Sequence, residues 1–446
     1  MNRRARVLGW IGGALAVAGL ALTAGTNRRQ LRGDDAGATA AADRLIVHEW
    51  GTFTSFAGSD GVQLEFRPLV THDLPGFVFG VDPSLGPWGS AIPLLVKKEY
   101  VALQRMETPV TYFYTDRERV VNARVDFPRG LLSEWFPQVQ ARDPGKQGPQ
   151  RQILGGSYLD WGAVRLTPAG DFAQVRVRNT KGEIVPASLP RVNDDDHYGR
   201  ARETDSAIVE TVDSHGASHF EKFLFYRGLG NFDLPIKLAA LGNERFEISN
   251  ASPTASGALL LLRIEDERVR FTRVASIGPE TATEVTLPAA TTTIDAVAEA
   301  TVRELIAAGL YEKEALAMVN TWRTSWFGEA GTRLLYLVSS QLTDELLPLR
   351  IEPAPEEQVR VLVGRLETLT PEDCRALTAT LTGADGREPP APERIRAELQ
   401  RLGRFAEPAL KYAGSQTSDP VVRDRLAAIL AEHVRAPTPG ASPSSP

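Results

Sequence analysis

The sequence predicts a mainly β protein with some α-helix, built as a β-sandwich-like body, a mixed α/β segment and a small helical C-terminal element. Two observations predict this fold class. Short runs of β-branched and aromatic residues, separated by turn residues, fill the chain from residue 45 to about residue 290. From residue 291 onward, apolar residues recur every three or four positions in several stretches, which is the helical period.

Composition supports a globular body and excludes some function classes. The chain has 446 residues, of which 42% are hydrophobic and 24% are charged. That length predicts more than one folding unit. The formal net charge is -6, and because phosphate binding needs a concentrated basic face, we expect no nucleic-acid partner. A single cysteine, Cys374, excludes an intrachain disulfide and a cysteine-based metal cluster.

The N-terminus is typical of export. Arg3, Arg4 and Arg6 precede an uncharged apolar run from residue 7 to residue 24. Residues 1–24 therefore predict either a cleaved signal peptide or an uncleaved anchor in the inner membrane, through residues 7–24. Residues 25–44 are poor in bulky side chains and predict a flexible spacer. We expect a periplasmic or extracellular protein, either released or anchored in the inner membrane by this N-terminal helix.

Residues 45–290 carry the strand signal. Two pairs of runs have the spacing of β-hairpins, at 207–213 with 219–226 and at 258–264 with 268–275. Alternating or continuous apolar runs include VTYFYTD, RVVNARVDF, AQVRVRN, AIVETVD, FEKFLFYRG, FEISN, ALLLLRIED, RVRFTRVASI and ATEVTLP.

Residues 291–368 predict a mixed α/β segment packed on this β body. A threonine cap, Asp295 in the first turn and Gly309 at the end delimit an amphipathic helix. A second helix follows and ends at Gly328, after which TRLLYLVS and QVRVLVGRLE predict strands.

Residues 369–436 predict a helical element, and residues 437–446 a disordered tail. Thr370 at the cap and Pro371 at the first helical position mark a strong helix start. The last two helices resemble one hairpin of the HEAT-type repeat class over about thirty residues. Because a single repeat cannot bury its own face, the resemblance implies a small cap or docking element rather than a solenoid.

His48 and Glu49 stand at the centre of the string RLIVHEWGTFTSF. On a strand their side chains point to opposite faces. Each would be surrounded by large apolar residues and would need a partner, such as an arginine from another strand. They are either weak catalytic candidates or hydrogen-bonded core residues.

Two clusters could hold a metal ion. His215, His219 and Glu221 would share a face on one continuous strand, but a turn at 214–218 would remove His215. Asp194 and Asp196 lie in an acidic loop that could bind calcium or could simply be solvated.

The string NTWRTSWFGEAGTR supplies the candidate recognition surface. Trp322 and Trp326 lie one helical turn apart, accompanied by Arg323, Glu329 and Arg333. Exposed, the indoles would form a platform for a carbohydrate or a protein partner. Buried, they would continue an apolar stripe of the helix through positions 315 and 318, and this stripe favours burial.

Four strings, VHEWGTFTSF, RMETPVTYFY, EKFLFYRGLG and MVNTWRTSWFGEAGTRLLYLVSSQLTDELLPLRI, resemble an uncharacterised group of exported bacterial proteins. The resemblance implies a location in the cell envelope and carries over neither an activity nor a cofactor.

The sequence therefore leaves three hypotheses. The first is an envelope binding module for protein or glycan. The alternative is a hydrolase or metal-dependent enzyme that uses His48, Glu49, His219 and Glu221. The third is a purely structural envelope component.

Overall fold

The computed structural model describes residues 44–67, 74–80, 100–149, 152–179, 181–193, 197–265, 268–383 and 390–435. The predicted signal segment, nearly all of the spacer, the loop carrying Asp194 and Asp196 and the predicted tail lie outside these residues. All described residues belong to one compact unit, 43–446. Among the helices of this part of the chain, none is both long and apolar enough to cross a bilayer.

Strands dominate, which confirms the predicted mainly β class with helices. In chain order the described strands are β1 Leu45–Ala57, β2 Phe79–Gly80, β3 Gln104–Thr115, β4 Arg119–Phe127, β5 Gly130–Phe136, β6 Ala141–Asp143, β7 Lys146–Gln147, β8 Ile153–Gly155, β9 Ser157–Thr167, β10 Arg176–Arg178, β11 Ile184–Pro186, β12 Ile208–Val212, β13 Ser218–Glu221, β14 Leu224–Gly230, β15 Ile236–Gly242, β16 Arg245–Asn250, β17 Leu259–Glu265, β18 Arg268–Val274, β19 Thr281–Thr286, β20 Gly331–Leu337, β21 Leu349–Glu352 and β22 Glu357–Thr368.

Three sheets enclose the main core. A nine-stranded sheet has the order β18-β17-β20-β22-β1-β3-β14-β5-β2, a six-stranded sheet has the order β13-β12-β9-β4-β21 with β6 on β9, and a three-stranded sheet has the order β15-β16-β19. Their apolar faces meet in one cluster, in which Val47, Leu166 and Leu238 represent the three sheets in that order. Both predicted hairpins are present, as β12 with β13 and β17 with β18.

Strand β1 lies in the middle of the nine-stranded sheet. It pairs in parallel with β22 and antiparallel with β3, and every one of its residues is buried. A strand buried on both faces is expected to be apolar throughout, so the polar residues His48 and Glu49 require hydrogen-bonding partners inside the protein.

Eight α-helices lie in the described residues. They are α1 His197–Arg200, α2 Ile294–Ala307, α3 Glu312–Arg323, α4 Ser340–Leu346, α5 Pro371–Thr382, α6 Pro392–Leu402, α7 Ala406–Gln416 and α8 Pro420–Arg435. The Thr293 side chain caps α2 and Thr370 caps α5, as the sequence predicts. A π-helical turn, Thr324–Gly328, continues α3.

The segment 291–368 is part of the β body rather than a segment packed on it. Strands β20 and β22 lie between β17 and β1 inside the nine-stranded sheet. Helices α2 and α3 cover the other face of this sheet, where Met318 and Trp326 pack with Trp50 and Val361. The boundary predicted at residue 291 therefore marks a change of local structure and not the edge of a separate body.

The C-terminal helices have a small core of their own that also includes Phe56 and Phe66 of the β body. Phe56 stacks on Phe405 with ring centroids 5.0 Å apart. The Tyr412 hydroxyl accepts a hydrogen bond from the Ser59 amide at 3.0 Å. The predicted helical element is thus fixed to the end of β1 by apolar and polar contacts.

Candidate functional site

His48 belongs to a buried cluster on the helix-covered face of the sheet. Its Nδ1 donates to Glu314 Oε2 at 2.8 Å, and both side chains are fully buried. Glu314 also accepts from the Tyr114 hydroxyl at 2.7 Å and from the Tyr311 amide at 2.8 Å. Burial, followed by the Glu314 charge, raises the pKa of Tyr114. The Tyr311 ring rests on the imidazole, with centroids 4.4 Å apart. The cluster thus ties the start of α3 to β1.

Glu49 belongs to a separate cluster on the opposite face. Arg360 donates to Glu49 Oε2 through Nε at 2.8 Å and Nη2 at 2.6 Å. Thr111 and Tyr226 donate to the other oxygen at 2.9 and 2.6 Å. The partner is an arginine from another strand, which is the kind of partner that the sequence suggests for a buried charge. His48 and Glu49 therefore do not converge, and each has the surroundings of a hydrogen-bonded core residue.

The two tryptophans of the candidate recognition surface are buried. Trp322 is 6% exposed and Trp326 is fully buried, and their rings stack with centroids 6.4 Å apart. They continue the apolar stripe of α3 against the sheet, because the residues on this helix face all pack into one core. The indoles are thus core residues, and the alternative of an exposed platform, with Trp322, Arg323, Trp326, Glu329 and Arg333 as its residues, is wrong. Arg323, whose side chain is 41% exposed, pairs with Asp295.

Arg333 holds the π-helical turn in place. Its guanidinium donates to the carbonyl oxygens of Ser325 at 2.6 Å, Trp326 at 2.7 Å and Glu329 at 2.7 Å. Its Nε lies 2.9 Å from Glu367 Oε1. Because the side chain is only 1% exposed, Arg333 stabilises the end of α3 rather than presenting a surface.

A band of buried charged residues extends from Arg333 across the helix-covered face of the nine-stranded sheet. Arg365 donates to Glu367 at 2.7 Å and to the side chain of Glu329 at 2.8 Å. Further along, Arg404 of the C-terminal element donates to Glu107 at 2.7 Å. Burial raises the pKa of Glu107, but Arg404, Arg105, Arg227 and Arg365 together lower it to about 2. This charged band joins the π-helical turn to the C-terminal helices.

The metal candidates are also dispersed. His215 lies in the turn after β12, and its amide donates to Asp213 at 2.8 Å. Arg202 donates to both oxygens of Glu221, at 2.9 and 2.6 Å. Burial raises the pKa of Glu221, and Arg202 opposes that rise. In the described part of the chain, no three His, Cys, Asp or Glu residues are grouped as metal ligands.

His219 lines a cavity of about 390 Å³. Four phenylalanines and a proline give it an apolar wall, and its polar side chains are two serines and one histidine. The lining residues are Gly76, Phe77, Val78, Phe79, Phe136, Ser188, Leu189, Pro190, Ser218, His219 and Phe220. This volume is within the range of about 300–1,000 Å³ that is typical of ligand pockets.

The imidazole of His219 is oriented within this wall. Its Nε2 lies 3.2 Å from Asp213 Oδ2, and its ring makes edge contacts with Phe79 and Phe136 at centroid distances of 5.6 and 6.1 Å. Burial raises the pKa of Asp213, but the amides of Ala217 and His215 and the imidazole of His219 lower it more. The carboxylate is therefore ionised at neutral pH and fixes the ring.

The cavity lies between the edges of two sheets. Phe79 belongs to β2, the last strand of the nine-stranded sheet, and Ser218 to Phe220 belong to β13, the last strand of the six-stranded sheet. In the part of the chain that the structure describes, each of these strands pairs on one side only, β2 with β5 and β13 with β12. An unpaired strand edge is a template for another strand.

Sequence reasoning identified His219 but not the rest of this wall. Phe79, Phe136 and Leu189 come from segments far apart in the chain, so their convergence is a property of the fold. One local signal was available in GFVFG, residues 76–80, where two phenylalanines stand between glycines.

No family model and no curated protein matches the chain. Among solved structures, the yeast delta-COP-I mu-homology domain complexed with Dsl1 WxWxV peptide has 7% identity and a TM-score of 0.25, covering 73% of this chain and 96% of that chain. The yeast delta-COP-I mu-homology domain without that peptide has 7% identity and a TM-score of 0.23, covering 73% and 95%. At these TM-scores the likeness carries no argument about function.

Proposed function

We propose that the chain is an exported cell-envelope protein that binds a protein partner through the cavity lined by His219. One observation carries this proposal: a cavity of about 390 Å³ with four phenylalanines in its wall opens between two sheet edges. Aromatic side chains dominate the energetics of protein recognition because they bury a large area at low entropic cost.

The lining favours a protein partner over a glycan. Sugars present many hydroxyl groups, and burying each without a hydrogen bond is costly. The described side chains that line this cavity include no carboxylate, amide or guanidinium group, and among them only Ser188, Ser218 and His219 offer polar side-chain atoms. An apolar side chain of a protein partner can be buried against this wall without leaving hydroxyl groups unpaired, whereas a sugar cannot.

Export is the second part of the proposal. The basic residues and the apolar run at the N-terminus support it. Cys374 is buried, which would protect this thiol from oxidation outside the cytosol.

The test is crosslinking in the envelope of intact cells. A photoreactive amino acid at position 188, which is exposed and lines the cavity, is expected to crosslink a polypeptide. The variant Leu189→Asp, which places a charge in the wall, is expected to abolish the crosslink. Val120→Asp is the matched control, because Val120 is 54% exposed on β4 and does not line the cavity.

Two results would contradict the proposal. One is a full-length chain that stays in the cytosol, protected from protease added to spheroplasts. The other is a crosslink that Leu189→Asp and Val120→Asp leave equally strong.

A second candidate function is hydrolysis at the same cavity, favoured by the bond between Asp213 and His219. A carboxylate that orients an imidazole prepares the other ring nitrogen to act as a general base. Turnover of nitrophenyl esters by the purified chain, lost in His219→Gln and kept in Val120→Asp, would favour this function over binding alone.

A further inference from the structure

We propose that the partner contributes an extended segment that adds to β13 as a further strand and places one apolar or aromatic side chain in the cavity. This inference rests on the proposed binding function and names the form of the ligand. Three features carry it. They are the edge of β13 that no described strand pairs with, the position of the cavity beside that edge, and a described lining that contains no acid, lysine or arginine.

The hairpin of β12 and β13 fixes which backbone groups are available. The Asp213 amide donates to the Ala217 carbonyl at 2.9 Å, and the pairs that follow are Val212 with Ser218, Thr211 with His219 and Glu210 with Phe220. In an antiparallel ladder, hydrogen-bonded pairs alternate with non-hydrogen-bonded pairs. His219 therefore directs its amide and carbonyl toward β12, whereas Ser218 and Phe220 direct theirs outward.

Those outward groups have no backbone partner in the described residues. An added strand would satisfy them through its own amides and carbonyls, which is the basis of strand-addition recognition. Only every second residue of such a segment directs its amide and carbonyl toward β13. Its backbone amides therefore alternate between those that bond to β13 and those that face away from it.

The cavity supplies the specificity. Side chains of an added strand alternate between its two faces, so one of them can enter the cavity beside Ser218, His219 and Phe220. Among the described residues, no lining side chain is an acid, lysine or arginine, so a charged anchor would lose hydration without compensation. Phenylalanine, tyrosine, tryptophan or leucine fits this site.

The experiment uses the full chain purified in detergent and a phage-displayed random peptide library as the probe. We expect enriched peptides with alternating apolar residues and one large apolar or aromatic residue at a fixed position. Synthetic versions are then N-methylated at one set of alternate amides or at the other. Methylation of the amides that face the edge of β13 is expected to weaken binding at least about tenfold. Methylation of the other alternate amides, which face away from that edge, should weaken it less than about twofold.

The variants complete the test. Leu189→Asp is expected to weaken peptide binding at least about tenfold, and Val120→Asp to leave it unchanged. Thermal unfolding of both variants checks that they fold. If Leu189→Asp does not fold, the comparison between the two N-methylated peptides still decides, because it uses the unaltered protein.

The outcomes separate this inference from the proposed function. If the envelope crosslink depends on Leu189 but both N-methylated peptides bind alike, the cavity binds a partner and strand addition is wrong. If no peptide is enriched, strand addition is wrong as well. If the crosslink itself does not depend on Leu189, the proposed function fails first.

Discussion

Arg360 of β22 donates two hydrogen bonds to one carboxylate oxygen of Glu49 in β1, which lies 311 positions earlier in the chain. The two residues are cross-strand neighbours in the parallel pair of β1 and β22. Arg360 also donates at 2.8 Å to Asp344, whose side chain is 62% exposed, so the buried guanidinium links Glu49 to a residue at the protein surface. The ion pair thus fixes the register between the first and last strands of the sheet.

Removal of Arg360 should destabilise the fold strongly. Arg360→Ala leaves the Glu49 carboxylate buried without its counter-charge, and we expect the free energy of unfolding to fall by about 3–5 kcal/mol. Urea denaturation measures this. Arg350→Ala is the control, because Arg350 is exposed and pairs with Asp126, and it should cost at most about 1 kcal/mol.

A double variant tests whether this loss comes from the pair. Glu49→Gln with Arg360→Met removes both charges and should cost less than the two single substitutions added together. Additive losses would contradict the interpretation that the two residues act as one buried pair.

Loss of Glu314 should release the start of α3 from β1. Glu314→Ala deprives His48, Tyr114 and the Tyr311 amide of their common acceptor. His48 is fully buried and the other two donors are partly buried. Because such donors are costly to leave without a partner, we expect a loss of about 3 kcal/mol or more in urea denaturation. Glu312→Ala, at an exposed position of the same helical turn, should cost less than about 1 kcal/mol. Equal losses in the two variants would contradict the structural role of Glu314.

Trp326 should contribute to stability as a residue of the hydrophobic core. Trp326→Ala removes a fully buried indole, and we expect a loss of about 3–5 kcal/mol in the free energy of unfolding. Arg323→Ala alters a side chain that is 41% exposed at the end of α3, and it should cost no more than about 1 kcal/mol. A loss for Trp326→Ala no larger than that for Arg323→Ala would contradict the assignment of Trp326 to the core.

Sequence patterns could predict the elements but not the contacts between distant ones. The apolar run around Trp50 predicts β1, and the opposite directions of His48 and Glu49 follow from strand geometry alone. The pairing of Glu49 with Arg360, however, depends on the parallel register of β1 with β22, and no local sequence pattern encodes that register.

Other features were missed for similar physical reasons. Helix α4 has seven residues, too few to show a helical period, and only its Ser339 cap marks it. By contrast, the stripe through Trp322 and Trp326 does favour burial by its spacing, but only the sheet beneath it excludes exposure. The cavity wall joins Phe136 to His219 only after two different sheets have come together.

The charged band should make stability depend on pH in the acid range. Arg404 and three other arginines outweigh the effect of burial and lower the pKa of Glu107 from 4.5 to about 2. A carboxyl group whose pKa is lower in the folded state than in the unfolded state contributes stability that is fully present above about pH 4.5. That contribution is lost as the pH falls toward 2.

Glu107→Gln removes this titration. The shift corresponds to a contribution on the order of 3 kcal/mol, so urea midpoints of the unaltered protein should fall more steeply between pH 4.5 and pH 3 than those of the variant. Glu118→Gln is the control, because Glu118 is 59% exposed and its removal should leave the slope unchanged. Parallel curves for the unaltered protein and Glu107→Gln would mean that Glu107 is not the group whose protonation weakens the junction between the sheet and Arg404.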